Sequence, residues 1–354
     1  MVEKSAGKGE DSEPVLFSNE STAITGVFDG MGGSGATLCN SDYGEGHSKA
    51  YVASRIIREA IDNHIHTKDL SEITSEVLKE ICDTCLKSEM QKYPSEKSML
   101  RSKIVREYPT TLTLIVSNEI TDSINIDSYW AGDSRNFLWT KEGFYQISQD
   151  DLINGNDPLE NLSNDSALSN CVCANIDFTI NHKNIKIGKQ PYVIISATDG
   201  CFGYLRTPMH FEQLLASTLQ SSSNQEEWEK VMKNQIQETS GDDYSISLIA
   251  RGFENFNELK KALGERTNRY TEQIDSLRRK IEDLQKELNE SEQKLKNTIT
   301  SNWEDYKACY LMYLTSTVDN VSPEIPKKKL LKKVMDFPKR ILSQILRNKK
   351  PKKC

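Results

Sequence analysis

The chain has 354 residues and a mass of 40.2 kDa, with 36% hydrophobic and 27% charged residues and a net charge of −7. Such a length exceeds one ordinary core and calls for a large domain plus an appendage, part of it solvent-facing. No apolar run approaches the ~20 residues that a membrane helix needs, and Met1–Pro14 has no apolar stretch of signal-peptide type, so integral and secreted classes are excluded and a cytoplasmic setting is expected.

In chain order, the residues up to about 252 read as mixed α/β. Strand-like runs rich in β-branched and aromatic residues occur at Thr22–Phe28, Thr110–Val116, Ser128–Ala131, Tyr192–Ala197 and Tyr244–Ala250. Between the first two runs, Val52, Ile56, Ile57, Ala60 and Ile61 recur at helical spacing. So do Leu70, Ile73, Val77, Ile81 and Cys85. Helices are also expected at Met209–Leu219 and Glu226–Gln237, so sheets with helices layered outside are the expected architecture. Cys82 and Cys85 form a CxxC within the second helical pattern. With no second ligand pair, and with the remaining cysteines scattered, helix packing by reduced thiols is the better reading.

From Phe253 glycine becomes rare and Glu, Lys, Gln, Leu and Arg dominate. Leu263, Tyr270, Ile274, Leu277, Ile281, Leu284, Leu288 and Leu295 fall on heptad a or d positions, with Thr267 and Ser291 as interruptions. This predicts a coiled-coil helix over 257–300, roughly 65 Å long at the usual rise per residue, able to pair with a second copy or with a partner helix. An amphipathic helix packed on the domain is the alternative. An aromatic stretch, Trp303–Ser316, follows, and Ser322–Pro326 breaks any helix. From Lys327 to Cys354, twelve Lys/Arg face one acid, Asp336; this segment carries +11 and the rest −18 of the overall −7. Apolar residues interleave with these charges, which fits binding to an anionic membrane surface or an acidic partner. The expected division is 1–252, a helical region 253–316 and a basic tail 317–354.

Five acidic motifs lie at strand ends or in tight loops: Gly9-Glu10-Asp11, Asp29-Gly30-Met31-Gly32-Gly33, Gly132-Asp133-Ser134-Arg135, Asp199-Gly200 and Gly241-Asp242-Asp243. A lone Asp-Gly is an ordinary turn. Several carboxylates brought together at strand ends are different, because they repel unless a hard divalent cation such as Mg²⁺ or Mn²⁺ takes their oxygens. Glycines beside them let the backbone turn sharply enough for a carbonyl to join. Two such ions close together activate a water and clamp a phosphoryl group, so phosphate-ester hydrolysis is the expected chemistry.

The ordered motifs resemble those of the type 2C, metal-dependent protein phosphatases. Thr25–Gly33, Thr110–Leu112, Tyr129–Arg135 with Gly143–Asp150, Ile195–Gly200 and Asp242–Ile246 carry the resemblance, which covers about residues 5–252. Met31, where eukaryotic members usually have His, makes the chain more similar to the bacterial branch. The resemblance implies an α+β fold, a four-layer αββα sandwich of two antiparallel sheets flanked by helices. It also implies a serine/threonine phosphatase that opposes a kinase on a phosphoprotein substrate, with two Mn²⁺ or Mg²⁺ ions and a weaker third.

By position, Asp29 would bridge both ions and the Gly30 carbonyl would bind one. Asp199 and Asp242 would complete the pair. Asp11, with Glu10, would hold metal-bound waters, and Asp133 with Asp199 would form the third site. Asp29, Asp199 and Asp242 would thus carry catalysis through a bridging water. The chain departs from the family at Ala6, where many members have a phosphate-holding Arg, leaving Lys4 or Lys8 as replacements. Asp243 stands where Asn is usual, the segment 152–190 looks irregular, and Ser34–Tyr43 is an insertion expected near the site entrance. A catalytically weak relative acting as a binding module is the alternative.

Overall fold

The computed structural model describes residues 1–4, 7–93, 106–153, 157–162, 166–264 and 268–315. Ala6, Thr267, the side chain of Tyr270, the Ser322–Pro326 break and the basic tail with Cys354 lie outside the described residues.

Strands β1 (Val15–Ser18) and β2 (Thr22–Val27) open the chain. A single turn, α1 (Gly32–Gly35), and the hairpin β3 (Leu38–Ser41) and β4 (Gly44–Ser48) lead into α2 (Lys49–Thr67) and α3 (Ser75–Lys92). Next come β5 (Leu112–Glu119), β6 (Ser123–Ala131), β7 (Arg135–Thr140), β8 (Phe144–Gln146), the turn α4 (Pro158–Asn161), β9 (Asn181–Gly188) and β10 (Tyr192–Ala197). The remainder is α5 (Pro208–Ser221), α6 (Gln225–Thr239), β11 (Ile246–Arg251), α7 (Phe256–Leu263), α8 (Asn268–Tyr310) and α9 (Met312–Thr315).

Two antiparallel sheets form the centre, one in the order β1-β2-β5-β6-β9 and the other β11-β10-β7-β8. Alternation along each strand sends side chains to two different cores. Leu114 and Val116 of β5 pack with Ile57 and Ile61 of α2 and Leu78 of α3, while Ile115 between them faces the other sheet. Likewise, Val193 and Ile195 of β10 pack against Phe211 and Leu215 of α5 and Trp228 of α6, while Tyr192 and Ile194 join Ile115, Ile124 and Leu138 between the sheets. The result is the four-layer αββα sandwich that the resemblance implies. Polar bonds stitch the sheets at their centre: Ser196 Oγ donates to Asn136 Oδ1 (2.7 Å), and Asn136 Nδ2 donates to the Leu114 carbonyl (3.0 Å).

Three local readings of the sequence change. Leu70 and Ile73 are not on the helix that carries Val77. Asp69 caps a separate turn at Leu70–Glu72, and the Thr74 hydroxyl accepts the Val77 N–H (3.3 Å), so the helix begins at Ser75. Within 152–190, β9 pairs with β6 over its whole length. It is an edge strand whose outer face is polar and whose apolar residues are few, chiefly Ile185 and Ile187, so it lacks a strand-like composition. Finally, Leu263, on the heptad seam, is fully buried with Leu259 in the core under α5 and α6.

The compact unit runs from Met1 to Arg278. It includes the start of α8, where Thr271 is buried and His210 Nε2 lies 3.4 Å from Asp275 Oδ1. Further along α8, Leu277, Ile281, Leu284, Leu288 and Leu295 are all more than half exposed. Among the described residues no helix is long and apolar enough to cross a membrane.

Candidate active site

The strand ends converge at one end of the sandwich. Asp29 follows β2, Asp133 follows β6, Asp199 follows β10, Asp242 precedes β11, and Glu10 and Asp11 precede β1. All six line one cavity of about 900 Å³, together with Gly30 and Asp243.

The Asp29 backbone is clamped by two threonines. The Thr111 N–H (2.7 Å) and the Thr110 hydroxyl (2.8 Å) donate to its carbonyl, and its own N–H donates to Thr111 Oγ1 (3.0 Å). This is why Thr110 and Thr111 matter: they fix where Asp29 points. Gly30 lies so close to neighbouring backbone that a Cβ there would meet the Ala50 carbonyl oxygen at 2.5 Å and that of Glu10 at 2.7 Å. At Gly32 a Cβ would stand 1.8 Å from Glu10 Oε2. Gly30 is required by close approach of backbone, not by backbone sign, whereas a side chain at Gly32 would displace only the Glu10 carboxylate.

Glu10 is held from three sides. Ser48 Oγ donates to its carboxylate, Ser54 Oγ donates to its carbonyl (2.6 Å), and its N–H donates to Asp243 Oδ2 (2.9 Å). The same Ser48 hydroxyl caps α2 by accepting the Tyr51 N–H (3.0 Å), so the helix start is tied to the site. Asp243 also accepts the Lys4 N–H through Oδ1 (2.6 Å). Both of its oxygens therefore pin the N-terminal segment, which the single acceptor oxygen of an Asn could not do. That accounts for the acid at this position.

The carboxyl groups perturb one another. Asp11 is almost fully buried and accepts from Thr198 Oγ1 (2.8 Å); burial, then the charge of Asp199, pushes its carboxyl up to about 7. Asp29, Asp133 and Asp199 are half-buried, with their remaining surface open to the cavity. Burial, followed by the charges of Asp11, Asp199 and Asp133, holds Asp29 well above the carboxylate range. Asp133 is raised to about 8 by burial and by Asp199 and Asp150; burial raises Asp199 and Glu10 as well. Among the described residues no three acidic, His or Cys side chains converge in a ready-made metal cluster. Asp29 nevertheless lies within hydrogen-bonding reach of both Asp11 and Asp199, with the other carboxylates along the cavity wall. The donor set is all hard oxygen, the raised carboxyls gain most from a cation, and the Gly30 backbone reaches the same cavity, so these residues fit Mn²⁺ or Mg²⁺.

A family model described as protein phosphatase 2C matches residues 15–239. The chain belongs to the protein phosphatase 2C family. It is accordingly a metal-dependent protein serine/threonine phosphatase, a phosphomonoester hydrolase of a family that uses Mn²⁺ or Mg²⁺. The match takes in Asp29, Gly30, Asp133 and Asp199 and leaves out Glu10, Asp11 and Asp242, which the fold brings to the same cavity.

Several solved structures are similar. A bacterial serine phosphatase aligns at 16% identity and a TM-score of 0.48, over 71% of this chain and 94% of that one. The serine/threonine phosphatase Stp1 from Staphylococcus aureus aligns at 16% identity and 0.46, over 70% and 90%. The catalytic domain of the phosphatase PstP, in complex with two manganese ions, aligns at 12% identity and 0.43, over 70% and 92%. No curated protein matches the chain.

Of the residues singled out from the sequence, Lys4 and Lys8 do not line the cavity. Lys4 Nζ donates to the Gly241 carbonyl, and Lys8 is exposed. The insertion does reach the site, through Ser34. Arg106 also lines it, a residue that sequence reading passed over; the signal available was a lone Arg four residues before Thr110. Cys82 is buried in the core against α2, and all seven described cysteines are thiols.

Proposed function

We propose that this end of the sandwich hydrolyses phosphoserine and phosphothreonine on protein substrates and so opposes a serine/threonine kinase. The observation that carries the reading is the single cavity onto which carboxylates from five separate strand ends open, with their charges mutually destabilised. Asp29, Gly30 through its carbonyl, Asp199 and Asp242 would hold two Mn²⁺ or Mg²⁺ ions. Glu10 and Asp11 would orient metal-bound water, and Asp133 with Asp199 would hold a weaker third ion. When bound, the ions supply Lewis acidity toward the phosphoryl oxygens and a water acidic enough to act at neutral pH.

The chain's own part is positional. Thr110 and Thr111 fix Asp29, Thr198 fixes Asp11, and Asp243 with Ser48 and Ser54 fixes Glu10, so the acids are held before substrate arrives. The exposed seam of α8 supports pairing with a second copy or a partner helix. The basic tail supports a cytoplasmic protein held at an anionic membrane or by an acidic partner.

The test is turnover of p-nitrophenyl phosphate and a phosphothreonine peptide with Mn²⁺, with Mg²⁺ and with chelator, for the wild type and Asp199→Asn. Metal-dependent turnover lost in the variant is expected. A folded wild type inert with both metals would sink the enzyme reading and leave the binding module.

A further inference from the structure

We infer that Arg106 is the residue that receives the phosphoryl group of the substrate, an inference that rests on the phosphatase reading above. The cavity is lined by seven acidic side chains and, among its lining residues, a single basic one, Arg106. A phosphomonoester is itself an anion, so it needs a donor that the carboxylates cannot provide. A guanidinium offers a planar fork matched to two phosphoryl oxygens.

The groups that Arg106 touches are all neutral, and a phosphoryl oxygen is a stronger acceptor than the two sulfurs among them. One terminal nitrogen donates to the Leu168 carbonyl (2.8 Å); the other lies 3.0 Å from Cys171 Sγ and 3.8 Å from Met31 Sδ. Both sulfurs are weak acceptors, and none of these partners is a carboxylate. Arg135 is the contrast. Its Nε and a terminal nitrogen donate to Asp150 (2.9 and 2.6 Å), both residues are buried, and its plane stacks on Phe202 at 4.4 Å, so it is committed to structure.

Arg106 is also well held. Two residues on, Tyr108 is buried with a left-handed backbone (φ 53°), and the next carbonyl, that of Pro109, accepts the Met31 N–H (3.2 Å). Glu107 is tied on the other side, where its carbonyl accepts the Ala174 N–H (2.8 Å). The segment bearing Arg106 is thus anchored to Met31, beside Gly30, on one side and to Ala174 on the other. Arg106 does here what neither Lys4 nor Lys8 is placed to do.

The experiment uses the full chain with Mn²⁺. KM and kcat are measured on p-nitrophenyl phosphate and a phosphothreonine peptide, and the inhibition constant for inorganic phosphate, for the wild type, Arg106→Ala and Arg106→Lys, with thermal midpoints alongside. Losing a charged, forked donor should raise KM for both substrates and weaken phosphate inhibition in parallel, by about ten- to a hundredfold in Arg106→Ala. Arg106→Lys should recover part of this, and added methylguanidinium part of the alanine defect. A purely structural role would lower the thermal midpoint and kcat while leaving phosphate inhibition within about twofold of wild type, and that result overturns the inference. Should the alanine variant not fold, the lysine variant decides on the same constant. A wild type without turnover overturns the phosphatase reading itself, and that is seen before any substitution is made.

Discussion

Leu259 and Leu263 of α7 are buried, at 5% and 0% exposure, whereas Leu284 and Leu288 of α8 stand open at 55% and 56%. The residue type is the same and the helical spacing similar, yet one pair completes a core and the other presents a stripe. The difference lies in what surrounds them. α7 fits beneath α5 and α6 and adds to an existing apolar layer, while α8 runs on for 43 residues, held by its own hydrogen-bond ladder. The acids contrast in the same way. From Glu282 onward the acids of α8 are exposed, whereas at the strand ends enclosure and proximity push Asp11 and Asp133 far from ordinary carboxylate behaviour. Periodicity makes a surface, and only enclosure turns it into a core or a site.

Substitution at the enclosed end should give the greatest effect. Asp29→Asn is expected to lower kcat by about a thousandfold or more, several kcal/mol of lost transition-state stabilisation, with little change in circular dichroism. Ending the chain after Arg278, by contrast, should leave turnover of p-nitrophenyl phosphate within about twofold, since every cavity residue precedes it. Loss of activity on truncation would mean that the long helix contributes to the site.

Core packing comes next. Leu215→Ala, at a fully buried position, should cost about 2–5 kcal/mol in denaturant unfolding. Leu288→Ala should change the unfolding of the compact unit by less than about 0.5 kcal/mol. If the seam pairs as proposed, Leu284→Asn shifts the full chain from dimer to monomer in light scattering; equal masses before and after would rule out pairing through this face.

A smaller effect concerns pH. Asp11 and Asp133 have folded-state values raised to about 7 and about 8, above the ordinary carboxylate value that applies when unfolded. Folding therefore favours their neutral forms. The stability they contribute is complete below the ordinary carboxylate pKa and is lost as pH rises through about 7 and 8. With chelator, the melting temperature of the compact unit should fall between pH 6 and pH 8.5, and added Mn²⁺ or Mg²⁺ should offset the fall. A chelated protein whose melting temperature rises over that range would contradict the assignment of burial as the cause.

Much of the enclosed half could be read from local pattern. The runs Thr22–Phe28 and Tyr192–Ala197 are continuous apolar strands because both faces are covered, by helices on one side and the second sheet on the other. The acids at their ends announced themselves through order and flanking strands, and all of them meet in the cavity. Strand β9 was illegible because an edge strand with a polar outer face carries a loop's composition. The start of α3 was misplaced because one threonine cap outweighed two apolar residues at helical spacing.

Chain order and residue type thus established the layered α+β architecture, the acidic motifs and the long polar helix, because strand and helix periodicities are local properties of the chain. Which leucines became core, why Asp243 carries two acceptors and which cation faces the acids were decided only in three dimensions. Leu263 meets α5 and α6, Asp243 meets the backbone of Lys4 and Glu10, and Arg106 reaches the cavity in place of the lysines near the N-terminus. Those partners are far apart in sequence, and contact between distant segments leaves no periodic trace in the chain itself.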